Sequence, residues 1–534
     1  VLLIALFHTA GAWPAEKSPE LTSALTRLKD APMAEMGEAV NTLANLDDGR
    51  VPKILKALLE GRLFYVKSDG RVVYGVTADD GYAVTDALTD EGLGNKGRFE
   101  VKKIAINNTL RNTLNAVIAR LELSVADPTQ RLKAVKSMSQ SADAGTAELL
   151  RRRLEVEKDG KVRDAIETAL ALVDIAGDDK AKRLAAIRSL DGTLDQEARN
   201  RLNALVEKDD EGDYLEPDDE IRNAALAVIK KIEFKLELNR LAETLFFGLS
   251  LGAVLVLAGI GLAITFGVMG VINMAHGELM MIGAYTTYVV QMLMPGHLDI
   301  SLLVAIPAAF AVSGLVGIAI ERGIIRFLYG RPLETLLATF GVSLFLQQSV
   351  RSIFSPLNRS VSTPSWMSGS VEINSALALT LNRFYIVLFC LLVFATLLAI
   401  LKRTRLGLEV RAVAQNRSMA RAMGIPTGRV DALTFGLGSG IAGVAGVALS
   451  QLTNVGPNLG QAYIVDSFMV VVFGGVGNLW GTLVGGMSLG IVNKVLEPYA
   501  GAVLAKILIL LAIILFIQKR PRGLFPQKGR AAEG

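Results

Sequence analysis

From about residue 244 onward the chain is a succession of apolar runs, at roughly 244–270, 278–294, 300–320, 334–354, 384–401, 430–451, 464–477, 480–493 and 502–518. Polar and charged residues gather in the short connections between them. A bilayer's hydrocarbon core is crossed by about 20 apolar helical residues, so most of these runs are long enough and the seventh and eighth are short. Before residue 240 the pattern is different. Ala165-Ile166-Ala169-Leu170-Val173, Leu184-Ile187-Leu190 and Ile221-Ala224-Ala225-Val228-Ile229-Ile232 each form one apolar stripe on an otherwise charged segment, the mark of an amphipathic helix. The phrases Arg131-Leu132-Lys133-Ala134-Val135, Arg183-Leu184-Ala185-Ala186-Ile187 and Arg222-Asn223-Ala224-Ala225-Leu226 are alike, which suits either stacked helix pairs of HEAT type or an ordinary helical bundle. Arg62–Lys67 and Arg71–Val76 flank Ser68-Asp69-Gly70 and predict one β-hairpin.

The expected architecture is therefore an all-α polytopic membrane protein of about 7–9 spans, some short or re-entrant. It follows a mainly α soluble domain that is HEAT-like in pattern and contains one β-hairpin. The expected boundaries are 1–12 for a signal peptide, 13–240 for an exported domain, 241–526 for the membrane domain and 527–534 for a tail. The signal-peptide reading rests on the apolar run Val1–Phe7 followed by Ala10-Gly11-Ala12, which fits a small-residue cleavage site but lacks a basic start.

Composition changes this picture little. The 534 residues are 51% hydrophobic and 20% charged, but these figures average two unlike halves. The net charge of +4 makes no general case for nucleic-acid binding. The single cysteine, Cys390, lies in an apolar run and excludes an intrachain disulfide.

Charge does predict orientation. Residues 402–429 carry Lys402, Arg403, Arg405, Arg411, Arg417, Arg421 and Arg429 against Glu409 alone, and the tail carries Lys519, Arg520, Arg522 and Lys528. Arg322, Arg326 and Arg331 mark a third basic loop. The excess of Lys and Arg puts these three segments in the cytoplasm and 355–380 and 452–463 outside. Counting back puts residue 243 outside. Lys230, Lys231, Lys235 and Arg240 oppose that, but a long exported domain overrides local charge. An odd number of crossings must then separate residue 460 from residue 520. The Gly-rich runs 464–477 and 480–493 are either two thin crossings or a re-entrant hairpin. Their glycines serve either a conduction route or close helix packing at Gly481/Gly485 and Gly486/Gly490.

Polar groups at membrane depth are expensive and call for a reason. Asn273, His276 and Glu278, in the turn between the first two spans, either cap helix ends and satisfy the turn or line the cytoplasmic end of a solute path. Gln347 and Gln348 either offer amides to a small polar solute or bond a neighbouring helix. Asp466 and Asn493 are candidates of the same kind. No G-x-x-x-x-G-K-[ST] phosphate loop occurs, so transport is passive, ion-coupled or driven by a separate motor. The stretch Leu408–Met423, stopped by Gly424-Ile425-Pro426, is a helical element suited to docking such a motor. No catalytic residue, metal spacing or cofactor motif is read from the sequence.

Several phrases carry a family resemblance. They are Ile272-Asn273-Met274-Ala275-His276-Gly277-Glu278, Leu337-Ala338-Thr339-Phe340-Gly341-Val342-Ser343, Thr404-Arg405-Leu406-Gly407, Arg411-Ala412-Val413-Ala414-Gln415-Asn416, Phe473-Gly474-Gly475-Val476-Gly477 and Arg520-Pro521-Arg522-Gly523-Leu524-Phe525. Through them residues 241–526 resemble the permeases of branched-chain amino acid-type ABC importers. Within that family Val455-Gly456-Pro457-Asn458-Leu459-Gly460-Gln461, Gly477-Asn478-Leu479-Trp480-Gly481-Thr482 and the long N-terminal extension are similar to the urea-importing subgroup. The resemblance implies a permease in a bacterial inner (plasma) membrane, with the N-terminal domain periplasmic and the C-terminus cytoplasmic. It implies a second permease subunit, two ATPase subunits and a periplasmic solute-binding protein as partners, with urea as cargo. Branched-chain amino acids or short amides, and a passive or ion-coupled channel, are the alternatives. It also implies that 402–429 docks an ATPase, with Ala412, Ala414 and Gly424 as contacts. The loop departs from the common importer motif: it lacks the leading Glu, and its Gly424 comes late. Urea fits physically, because a small neutral solute rich in hydrogen-bonding groups passes amide-lined routes without a buried countercharge.

Overall fold

The computed structural model describes residues 19–78, 81–139 and 144–526, so the signal-peptide reading lies outside the described residues. The chain divides into two compact units, at Val1–Lys235 and Leu236–Gly534.

The first unit opens with α1 (Pro19–Asp30), α2 (Met36–Ala44) and α3 (Val51–Leu59). A sheet follows: β1 (Leu63–Val66), β2 (Val72–Ala78), β3 (Gly81–Asp86), β4 (Gly92–Gly97) and β5 (Val101–Lys103), in the order β4-β3-β2-β1-β5 with antiparallel neighbours. The expected hairpin is present, with Leu63 opposite Tyr74 and Gly70 at positive φ, but it is the centre of five strands rather than an isolated pair. Helices α4 (Asn108–Glu122), α5 (Pro128–Ser139), α6 (Ala144–Val156), α7 (Gly160–Ile175), α8 (Lys180–Ser189) and α9 (Gln196–Ala204) complete the unit.

Asn107, Asp159, Asp179 and Asp195 each accept a first-turn amide and so fix where α4, α7, α8 and α9 begin. Leu21, Leu25, Leu43, Ile54, Leu58 and Leu114 form one core, and Val135, Leu150, Val162 and Ile166 another. Beside the second core, Arg131 is paired with Glu157 at 2.8 Å, both buried. The opening turns of the next helix, α10 (Asp219–Met269), bury the expected stripe Ile221, Ala225, Val228, Ile229 and Ile232.

The second unit is a helical bundle. After α10 come α11 (His276–Leu293), α12 (Leu298–Gly323), α13 (Pro332–Phe354), a two-stranded ribbon of β6 (Ser370–Asn374) and β7 (Leu377–Thr380), α14 (Leu381–Arg403), α15 (Arg405–Gln415), α16 (Arg417–Ala422), α17 (Thr427–Ser450), α18 (Leu459–Gly474), α19 (Leu479–Ala500) and α20 (Ala502–Lys519). Among the described residues, α10, α12, α14, α17, α19 and α20 are long and apolar enough to cross a membrane. The polar residues of α11 and α13 make them less apolar. The 16 residues of α18 span only about 24 Å at 1.5 Å per residue.

Contacts between connections sort the helix ends of this unit into two groups. In one group Gln291 bonds Ser362, Trp366 bonds Asp299, Arg351 bonds Asn458, and Arg359 pairs with Val455. In the other, Arg417 bonds Asp431 and lies over Tyr329, while the amides of Leu524 and Phe525 bond the carbonyls of Phe473 and Gly474. Each of α11, α12, α13, α14, α17 and α18 starts in one group and ends in the other. The run 464–477 falls mostly in the short helix α18, which is not among the six described helices long and apolar enough to cross. The next run belongs to the longer helix α19. Their glycines pack backbone on backbone: a methyl at Gly481 would meet the carbonyl of Gly474, and Gly490 lies against Gly252. Close helix packing is thus one use of these glycines.

Helix α17 is the centre of the bundle, with 21 of its 24 residues buried. It packs against α11 and α12 through Gly436, Gly440, Gly443 and Gly446. A side chain at Gly446 would strike the carbonyl of Met280, and one at Gly283 would strike Gly443.

Candidate functional site

The buried face of α13 is polar. Thr335, Thr339, Ser343 and Gln347 recur every fourth residue and are all buried, whereas Leu333, Leu337, Phe340, Leu344, Phe345 and Ile353 are exposed. A spacing of four on a helix of 3.6 residues per turn keeps one stripe on one side. The helix is thus inverted relative to a soluble amphipathic helix, with its apolar side outward, as suits a lipid or protein surface within a membrane.

That stripe faces the start of α11. The Thr339 hydroxyl accepts from the amide of Met274 at 3.1 Å, tying the 270–275 turn to α13. One turn further, Ser343 Oγ donates to Glu278 Oε1 at 3.1 Å. Glu278 is 1% exposed, and its Oε2 has no hydrogen-bond partner within the chain. Gln347 Nε2, Asn273 Nδ2 and the Tyr285 hydroxyl are likewise buried and unpartnered. Beyond Gln347, Arg351 donates to Asn458 Oδ1 at 2.7 Å, and Tyr285 stacks on Phe354 at 4.8 Å. From Thr335 to Arg351 the seam runs about 24 Å, close to the thickness of a hydrocarbon core.

Buried polar atoms without partners cost roughly 1–3 kcal/mol each and are few in folded proteins. Several lie along one seam, two of them donors from amides and one a carboxylate oxygen, and they leave hydrogen-bonding capacity unused within the chain. Asn273, Glu278 and Gln347, expected from the sequence, are brought together here. Asn273 also fixes its own turn, its Oδ1 accepting from the Ala275 amide at 3.0 Å. His276 is not in the seam: its Nε2 lies 2.9 Å from the carbonyl of Ala258 on α10, on the other side of α11. Gln348 is exposed among the apolar residues of α13, because one residue turns the helix by about 100°. Thr335, Thr339, Ser343 and Tyr285 were missed by sequence reasoning. The four-residue recurrence of Thr, Thr, Ser and Gln was the available signal for the first three.

Asp466 and Asn493 meet elsewhere. They line a cavity of about 210 Å³ among α10, α18, α19 and α20. Asp466 is paired with Lys506 at 2.9 Å and Lys494 with Glu497 at 2.5 Å, above an apolar floor that includes Leu251, Leu255 and Ile509.

The basic connection 402–429 folds as two short helices rather than one. Asn416 leaves helical geometry, and its side chain caps α16 by accepting from the Met419 amide at 2.9 Å. Helix α16 stops at Gly424, which takes positive φ as the glycine-proline signal predicts. Ala412 packs against the small core of Val410, Val413, Ala420 and Val430, Ala414 is half-buried, and Gly424 is exposed.

Comparison with known proteins bears on the membrane unit. The family model for the branched-chain amino acid transport system / permease component matches residues 244–517. The high-affinity branched-chain amino acid transport system permease protein LivH of Salmonella typhimurium is 33% identical over 293 residues, covering 53% of this chain and 94% of its own length. BraD of Pseudomonas aeruginosa, a permease protein of the same description, is 30% identical over 298 residues, covering 54% and 96%. The ribose import permease protein RbsC of Escherichia coli K12 is 26% identical over 238 residues, covering 42% and 71%. No solved structure matches.

Proposed function

The chain belongs to the family of branched-chain amino acid transport system permease components, and from that premise we propose that it is the permease subunit moving urea into the cytoplasm in an ABC importer. ATP is hydrolysed by two partner subunits docked at 402–429, a second permease completes the membrane part, and a periplasmic binding protein delivers the solute. The N-terminal unit is periplasmic, and the helix ends at 324–331, 402–429 and 520–526 are cytoplasmic, in keeping with their Lys and Arg excess.

The observation that carries the cargo reading is the α11–α13 seam, with Asn273, Glu278, Ser343 and Gln347 as its solute-facing groups. Its spare atoms are both donors and acceptors, which suits a molecule with two amide donors and one carbonyl acceptor. The seam holds one carboxylate and, at its far end, one guanidinium already bonded to Asn458. Apart from Glu278 the solute-facing groups of this lining are uncharged.

A second cargo, an aliphatic amino acid, is favoured by a different feature. The Asp466–Lys506 and Lys494–Glu497 cavity offers both signs of charge over an apolar floor, which a zwitterion with a hydrocarbon tail requires. Uptake of labelled urea by cells with and without the gene, challenged with excess leucine, separates the two. Gene-dependent urea uptake that leucine leaves unchanged supports urea. Gene-dependent leucine uptake with no urea uptake removes it. Accumulation that persists when a partner ATPase is inactivated removes the ABC mechanism itself.

A further inference from the structure

We infer that Arg417 is the positioning residue that transmits motion from the α15–α16 elbow to the bundle, acting through Asp431 and Tyr329. The inference rests on the proposed docking role of 402–429. Arg417 opens α16, and its guanidinium forks onto both carboxylate oxygens of Asp431, one at 3.1 Å and the other closer. Asp431 is fully buried in the second turn of α17. A face of the same guanidinium lies over the Tyr329 ring at 4.4 Å. The Tyr329 hydroxyl donates to Glu321 Oε1 at 3.2 Å, and Glu321 is 1% exposed on α12. One side chain of the short helix α16 thus holds two helices of the bundle, α17 directly and α12 through a tyrosine.

A paired fork of this kind sets direction as well as distance, since a guanidinium meets a carboxylate in one plane. The connection is also tied to the bundle by packing, with Val410 and Val413 of α15 against Val430 of α17, but among the described residues the Arg417–Asp431 fork is its ion pair. Arg421 donates to Thr427 at 3.3 Å, and Arg429 is exposed. What α17 receives it passes on, because the glycine contacts with α11 and α12 leave no room for sliding. Gly283 meets Gly443, Gly446 meets Met280, and Gly317 meets Ser439. Helix α11 carries Glu278 and therefore one wall of the polar seam. Displacement of α16 is delivered to that wall through packed backbone, without a flexible joint between.

The test uses the whole transporter, purified with its ATPase subunits and reconstituted in liposomes, with urea accumulated per ATP hydrolysed as the readout. Arg417→Ala is expected to keep the ATPase subunits bound while uptake per ATP falls on the order of tenfold, the scale of coupling between sites. The exchange Arg417→Asp with Asp431→Arg is expected to recover most of that ratio, and Arg417→Lys, which keeps charge but not the fork, is expected to fall between. Tyr329→Phe, which leaves the ion pair intact and removes the hydroxyl from Glu321, is expected to lower the ratio by a smaller factor. If Arg417→Ala does not insert, Arg417→Lys and Tyr329→Phe carry the test. A wild-type ratio in Arg417→Ala, or in both of those variants, overturns the inference. So does loss of the ATPase subunits on Arg417→Ala, since the residue would then dock and not transmit. Wild-type protein that carries no ATPase, or accumulates solute without ATP, sinks the docking reading on which the inference rests and is told apart by that control.

Discussion

Replacing Gln347 by leucine separates a solute-binding amide from a structural one, because the two roles give effects of opposite sign. Gln347 is buried, and its Nε2 donates to nothing within the chain. An unsatisfied buried donor costs about 1–3 kcal/mol in water-soluble proteins. Inside a membrane, polar interactions average nearer 0.6 kcal/mol, so removing the amide is expected to stabilise the bundle by about 1 kcal/mol. Leucine has a similar volume and leaves no cavity. In transport the amide would bond the solute, and losing one such bond in a dry site costs about 1.4 kcal/mol, a tenfold fall in uptake at low solute concentration. Thermal midpoint by size-exclusion chromatography of detergent-purified protein gives the first quantity, and initial rates of labelled urea uptake give the second. Gln348→Leu is the control: it lies one residue away on the exposed face and is expected to change neither. Gln347→Leu protein that is less stable, or that transports at the wild-type rate, would refute a solute role for the seam.

Three further expectations follow from the fold. Gly446→Leu drives a side chain into the backbone of α11 and is expected to cost more than about 3 kcal/mol, seen as loss of monodisperse protein on extraction. In the soluble unit, the fork from Arg131, aided by backbone amides and Arg153, holds the Glu157 carboxyl at about 2 against an ordinary value of 4.5. The stability it adds is fully present above pH 4.5 and is lost as pH falls toward 2. Protection factors, which correct for the slower intrinsic exchange in acid, should therefore fall across residues 120–139 and 144–175 over that range, and Glu157→Gln should show reduced protection already at neutral pH. On a Cys390→Ala background, Ser418→Cys is expected to react with an impermeant maleimide only in inverted vesicles, and Ser375→Cys only in intact spheroplasts. The reverse pattern rules out the proposed orientation.

The long helices of the membrane unit, and α7, α8 and the start of α10, were legible in the sequence because hydrophobic period acts locally, whereas α1–α4, α6 and α9 were not singled out. Asp159 and Asp179 mark helix starts wherever the chain then goes. The outer strands of the sheet were not legible. Gly92–Gly97 reads Gly-Leu-Gly-Asn-Lys-Gly, with no alternation to mark a strand, and is held by pairing with β3. The seam was half legible. Gln347 and Glu278 stand out as polar groups in apolar runs, but which side of α13 faces inward depends on helices 60 residues away. Gln348 is as polar as its neighbour and is turned out. The run 464–477 reads as short and its helix is short, α18 having 16 residues from Leu459 to Gly474, whereas 480–493 looked too thin because the apolar run, and not the helix end, was being measured: α19 continues to Ala500.

The burial of α17 bears on how the protein is made. A helix with all but three residues buried has been selected for shape, even though it is apolar enough to cross a membrane. On the ribosome it emerges after the five long helices that precede it in this unit have reached the translocon. It enters a slot those helices have already begun to form. Mutations that loosen the slot should then appear first as failed biogenesis, with the newborn chain handed to quality-control proteases before any transport defect is measured.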